Sequence, residues 1–92
     1  MPHFSIPGDV VFRELAGESV LLRLDTGIYF GLNAVGTRIW QLLVERGDKE
    51  KVIQEMLAEF EVSEQDLRRD VEKLVQELCE KGLLIANSQK VS

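Results

Sequence analysis

The chain has 92 residues, 45% of them apolar, and 16 acidic against 11 basic side chains give it a formal charge of −5. That length suits one domain, residues 1–92 with a core from about 10 to 85, and leaves little room for a deep catalytic cavity. Net acidity argues against a nucleic-acid partner, whose phosphates call for a basic face, and a lone cysteine, Cys79, with a lone histidine, His3, makes neither an internal disulfide nor a zinc-ligand set.

In chain order, "MPHFSIPGD" lacks the basic region and apolar run of a secretory signal and reads as a loose tail. No apolar run approaches the ~18 residues that cross a membrane. The expectation is a cytoplasmic protein with no membrane partner. "DVVFREL" and "SVLLRL" read as strands joined by the turn "AGES". A second turn, "DTG", in which Gly27 can take a positive φ, leads into a third strand, "IYFGLN". In that strand Ile28, Phe30 and Leu32 share one face, predicted to be core, and Tyr29 and Gly31 share the other.

Helical periodicity takes over at Asn33, an N-cap for a helix with Val35, Ile39, Leu42 and Leu43 on one stripe and Trp40 beside it. Gly47 ends that helix. Asp48 caps the next, where Val52, Ile53, Met56, Leu57 and Phe60 recur at helical spacing. Ser63, with Asp66 three residues on, resembles a capping box for the last helix, whose stripe is Leu67, Val71, Leu74, Val75 and Leu78. Gly82 closes it, and "LLIA" is apolar enough to pack back as a short extended tail. The order, three antiparallel strands followed by three helices, predicts an α+β domain with helices on one sheet face.

No catalytic constellation appears. Nucleophilic catalysis needs a nucleophile beside an oriented base, and Cys79 near a helix end reads as a packed thiol. The carboxylates recur at helical spacing with basic residues, as Glu77 does with Lys81, which is the pattern of a solvated face. Gly27, Gly31 and Gly36 do not make a phosphate loop. Neither a cofactor nor a metal is expected.

What remains is a surface for another chain. An exposed strand edge offers unpaired N–H and C=O groups to an extended peptide. Gly31 would let a partner backbone come close, and Tyr29 and Phe30 could wall the site. The same residues also read as plain structure, with Phe30 and Leu32 in the core and Gly31 relieving a twist. On the last helix the stripe centres on Val71 and Leu78, with Leu74 to one side. Asp70 and Glu77 lie on that flank and Lys73 further round. An acidic flank beside an apolar edge suits a peptide with hydrophobic anchors and a basic residue, or is simply solvated.

"LDTGIYFGLNAVGTRIWQLL" resembles the PqqD-like family, in which a strand ending in Leu-Asn (here Leu32-Asn33) precedes a helix with a Gly-x-x-Ile-Trp pattern (here Gly36 to Trp40). "RDVEKLVQELCEKGLL" is similar to the family's last helix, with Asp70-Val71, Leu74, Leu78 and Gly82-Leu83-Leu84. The resemblance covers roughly Val10 to Leu84 and implies a winged-helix-turn-helix-like fold. It implies a RiPP recognition element, a non-catalytic protein that binds the leader of a ribosomally made precursor peptide beside the third strand, in a groove shared with the third helix. Among the family, "YFGLNAVGTRIW" looks most like free-standing members of lasso-peptide systems. There the resemblance implies a Tyr-x-x-Pro leader motif, a separate leader-cleaving cysteine protease and a cyclase. Carried onto this chain, Tyr29, Phe30, Gly31 and Leu32 give the pairing edge, and Asp70, Lys73, Leu74 and Glu77 the opposite wall. Arg68 and Glu72 are the competing flank. Two alternatives stand beside this reading: a PqqD-type peptide carrier for a radical enzyme, and a winged-helix DNA binder.

Overall fold

The computed structural model describes residues 3–87. Its elements are β1 (His3–Ser5), β2 (Val10–Leu15), β3 (Glu18–Arg23), β4 (Tyr29–Leu32), α1 (Ala34–Arg46), α2 (Lys49–Glu59), α3 (Glu64–Glu80) and β5 (Ile85–Asn87). Strands β2, β3 and β4 form an antiparallel meander in that order. The first hairpin closes on Ala16 (φ 56°) and Gly17 (φ 85°), two positive φ values that match the twist of the flanking strands. Gly27 turns the second with φ 75°.

The register places Phe12 opposite Leu21 and Leu21 opposite Phe30, so one row crosses the inner face of all three strands. Leu21 and Leu32 are buried there against Ile39, Trp40, Leu42 and Leu43 of α1. Val52, Ile53 and Met56 of α2, Leu67, Val71 and Leu78 of α3, and Leu83 and Leu84 complete the core. Each such side chain contributes about 1.5–3 kcal/mol relative to leaving it exposed. Trp40 stacks on Phe12 at 6.3 Å between ring centroids.

All three helices start on the residues read as caps. Asn33 Oδ1 accepts from the Gly36 N–H at 2.8 Å, Asp48 Oδ1 from Glu50 at 2.9 Å and Ser63 Oγ from Asp66 at 3.1 Å, each satisfying a donor the helix leaves free. Gly47 (φ 68°) ends α1 and donates to the Leu43 carbonyl. Salt bridges then lace the helices: Arg38 to Glu59 at 2.6 Å, Arg68 to Glu50 at 2.6 Å, Lys49 to Glu72 at 3.2 Å, and Arg46 to Glu55.

Four expectations change. The N-terminal segment is not a loose tail: His3–Ser5 pairs antiparallel with Ile85–Asn87, and the Phe4 N–H reaches the Gly47 carbonyl at 3.2 Å. The extended "LLIA" tail is present, but with a partner strand at the far end of the sequence. Ile28 is exposed, because β4 begins one residue later and Ile28 lies just before it, at the end of the sheet. Val35 and Phe60 are exposed as well. Val35 sits in the first turn of α1, and Phe60 is the extended C-cap of α2 rather than part of its stripe.

The joint between sheet and α1 is fixed by one buried polar contact. Ser19 Oγ and Thr37 Oγ1 lie 2.7 Å apart, and Thr37 Oγ1 also faces the Leu32 carbonyl at 3.4 Å. Thr37→Val orphans the Ser19 hydroxyl and is expected to lower unfolding stability by about 1–3 kcal/mol in urea melts. Ser19→Ala combined with Thr37→Val removes both partners and should recover most of that loss.

The Arg68 and Arg38 guanidiniums hold the Glu50 and Glu59 carboxyls below their ordinary range through side-chain hydrogen bonds. A depressed carboxyl stabilises above its unfolded pKa, and that contribution is lost as pH falls through the folded value. Thermal midpoints should therefore hold from about pH 7 to about pH 5 and fall below the ordinary Glu range, with a shallower fall in an Arg38→Ala, Arg68→Ala double variant.

Candidate functional site

β4 is an edge strand, and its hydrogen-bond phase decides what the edge offers. The Arg23 N–H donates to the Ile28 carbonyl at 2.8 Å. In an antiparallel ladder, bonded and non-bonded pairs alternate. With Leu21 opposite Phe30 and Ser19 opposite Leu32, Phe30 and Leu32 turn their backbone groups to β3. Tyr29 and Gly31 turn theirs outward, to the open edge.

Beside that edge lies a groove of about 440 Å³, lined along the strand by Phe30, Gly31 and Leu32 and facing Asp70 and Leu74 of α3. Asn33, Val35, Gly36 and Ile39 line its α1 side. Helix α1 comes this close because residue 36 has no side chain: a Cβ there would sit 3.2 Å from Leu32 Cδ2. Gly31 differs. A Cβ at that position meets nothing within 4 Å, so the fold leaves open space there. Lys81 places its ammonium 5.9 Å from the Phe30 ring centroid, a cation–π distance. Tyr29 is 72% exposed.

The structure brings Phe30, Gly31, Leu32, Asp70 and Leu74 together around one groove. Tyr29 borders it through the edge backbone. Lys73 lies round a separate depression with Arg68, Arg69, Glu72 and Gln76, and Glu77 is half-buried outside both linings. Arg68 and Glu72 are tied to α2 through Glu50 and Lys49, so their flank faces α2 rather than β4. The sequence did not assign Asn33, Val35, Gly36 or Ile39 to the groove. The available signal was position: these residues lie at the end of β4 or in the first two turns of α1.

No acid–base or nucleophilic apparatus lines this groove. Burial pushes the Cys79 thiol up, away from thiolate chemistry. Among the described residues no group of His, Cys, Asp and Glu could hold a metal ion, and no helix is long and apolar enough to cross a membrane.

The sequence profile described as "Coenzyme PQQ synthesis protein D (PqqD)" matches residues 18–84. The chain belongs to the PqqD family. Two solved structures share the PqqD-family fold seen here. "TbiB1 in Complex with the TbiA(beta) Leader Peptide" is 38% identical, with a TM-score of 0.80, covering 95% of this chain and 98% of that one. "Lasso peptide synthetase B1 complexed with the leader peptide" is 29% identical, with a TM-score of 0.81, covering 90% and 98%. A search of curated proteins finds no match.

Because the Gly31 Cβ direction is empty, Gly31→Ala should leave stability unchanged or raise it by up to ~1 kcal/mol in urea melts, through the less flexible unfolded chain. A clear loss would show that the glycine serves the fold itself.

Proposed function

We propose that this PqqD-family chain is a non-catalytic recognition protein. It captures the leader of a ribosomally made precursor peptide by strand addition to β4 and presents it to a lasso-peptide leader protease and cyclase. The observation that carries this reading is the open β4 edge. Tyr29 and Gly31 offer their backbone groups beside an apolar groove, in a chain 38% identical to a protein whose structure contains a leader peptide.

In this reading each residue around the edge has a role. Main-chain groups of Tyr29 and Gly31 bond the peptide, which supplies affinity with little dependence on sequence. Phe30, Leu32 and Leu74 make an apolar bed for its inward side chains, such as the Tyr and Pro of a Tyr-x-x-Pro motif. Asp70 attracts a basic residue or accepts a hydroxyl. Lys73 and Glu77, which do not line the groove, meet only parts of the leader that extend beyond it along α3. Gly31 removes the side chain that would crowd the peptide backbone. Catalysis belongs to the partner enzymes.

The test is calorimetric titration with the synthetic leader of the precursor encoded beside the gene. Saturable binding is expected. Leu74→Ala should weaken it by about 1–4 kcal/mol, with far-UV dichroism unchanged. Gly31→Pro removes the outward N–H while sparing the β3–β4 ladder, and should abolish binding. Normal leader binding by a folded Gly31→Pro protein, or losses in Arg68→Ala and Glu72→Ala instead of Leu74→Ala, would sink strand addition at this edge.

A further inference from the structure

The groove beside β4 does not stop at the strand's end. Val35 and Asp70 line it and also line a second cavity of about 490 Å³, between the start of α1, the α2–α3 connection and α3. Met56 and Leu67 form the buried floor of this cavity, and Phe60 and Val62 its exposed walls. Its rim is acidic: Glu61, Asp66 and Asp70. Asp66 is engaged by Arg69. Among the described residues, neither Glu61 nor Asp70 has an ion-pair partner, although nearby carboxylates of the helix surfaces are paired.

The direction of a bound strand says what reaches this cavity. The sheet is antiparallel throughout, and antiparallel pairing is the more stable per residue. A peptide running antiparallel to β4 has its N-terminal side beside Leu32 and Asn33, and the residues preceding that segment pass Val35. We infer that the second cavity holds the N-terminal continuation of the captured leader. One apolar side chain packs against Phe60 and Val62, and a neighbouring Lys or Arg meets Glu61 and Asp70. This rests on the strand-addition reading above and adds a sequence preference to it. The leader carries an apolar and a basic residue upstream of the segment that pairs with β4. Apolar walls with unpaired acids beside them suit that pair of side chains and disfavour an acidic segment.

A nested series of N-terminal truncations of the synthetic leader tests this by calorimetry. The shortest member whose binding is still sensitive to Leu74→Ala defines the β4-paired segment. Against the unsubstituted protein, the full leader should bind roughly five- to twentyfold more tightly than that shortest member. Val62→Arg, at an exposed position, fills the cavity and sets a positive charge beside its acids. The full leader should then bind this variant no more tightly than the shortest member does. Glu61→Lys should shrink the advantage in the same direction.

Equal binding of full leader and shortest member by the unsubstituted protein overturns the inference and leaves strand addition standing. So does a Val62→Arg loss of the same size for both peptides. A dimer of the free protein that Val62→Arg dissociates assigns the cavity to a second copy and also overturns it. No binding by any member removes strand addition, and this extension with it.

Discussion

The close passage of α1 beneath β4 is the constraint on which the rest of this structure depends. Gly36 lets the helix approach Leu32, Asn33 caps it at the point of departure, and the Ser19–Thr37 hydroxyl pair pins it to β3. With that joint fixed, the inner row Phe12, Leu21 and Phe30 closes on the core while the outer side of β4 stays free. Gly36 and the Asn33 cap set how near the α1 side of the groove stands to the β4 backbone edge.

Helix α3 divides its labour between two flanks. Arg68 and Glu72 bind α2 through charge pairs, which are individually weak at the surface but fix the helix's rotation about its axis. The opposite flank, with Asp70 and Leu74, is left unpaired among the described residues and faces β4. A helix held from one side presents the other as a preset wall, so little ordering would remain to oppose the peptide capture proposed above.

Much of this was legible in the sequence because its signals are local. The caps at Asn33, Asp48 and Ser63 depend on one side chain and an amide two or three residues away. The alternation of Tyr29 and Gly31 against Phe30 and Leu32 follows from strand geometry alone. The failures are non-local or lie at element ends. Pairing of His3–Ser5 with Ile85–Asn87 joins opposite ends of the described chain, and no periodicity reports such a partner. Ile28, Val35 and Phe60 are apolar and in phase with their elements, yet Ile28 and Phe60 lie just outside theirs and Val35 in the first turn of its own. The helical wheel put Leu74 beside Asp70, but only the α2 contacts of Arg68 and Glu72 show which flank turns toward the sheet.

The shortness of β4 has a kinetic consequence. Four residues with alternating phase leave only Tyr29 and Gly31 facing outward, so the edge itself can supply at most their two donors and two acceptors. At about 0.5–1.5 kcal/mol net for each hydrogen bond, such an edge holds an arbitrary extended chain only briefly. Short edges also discourage open-ended self-pairing. Residence time must therefore be set by side chains seated in the groove, through the off-rate. On the strand-addition proposal, such a site holds its own peptide through the seated side chains and lets it go once they leave the groove.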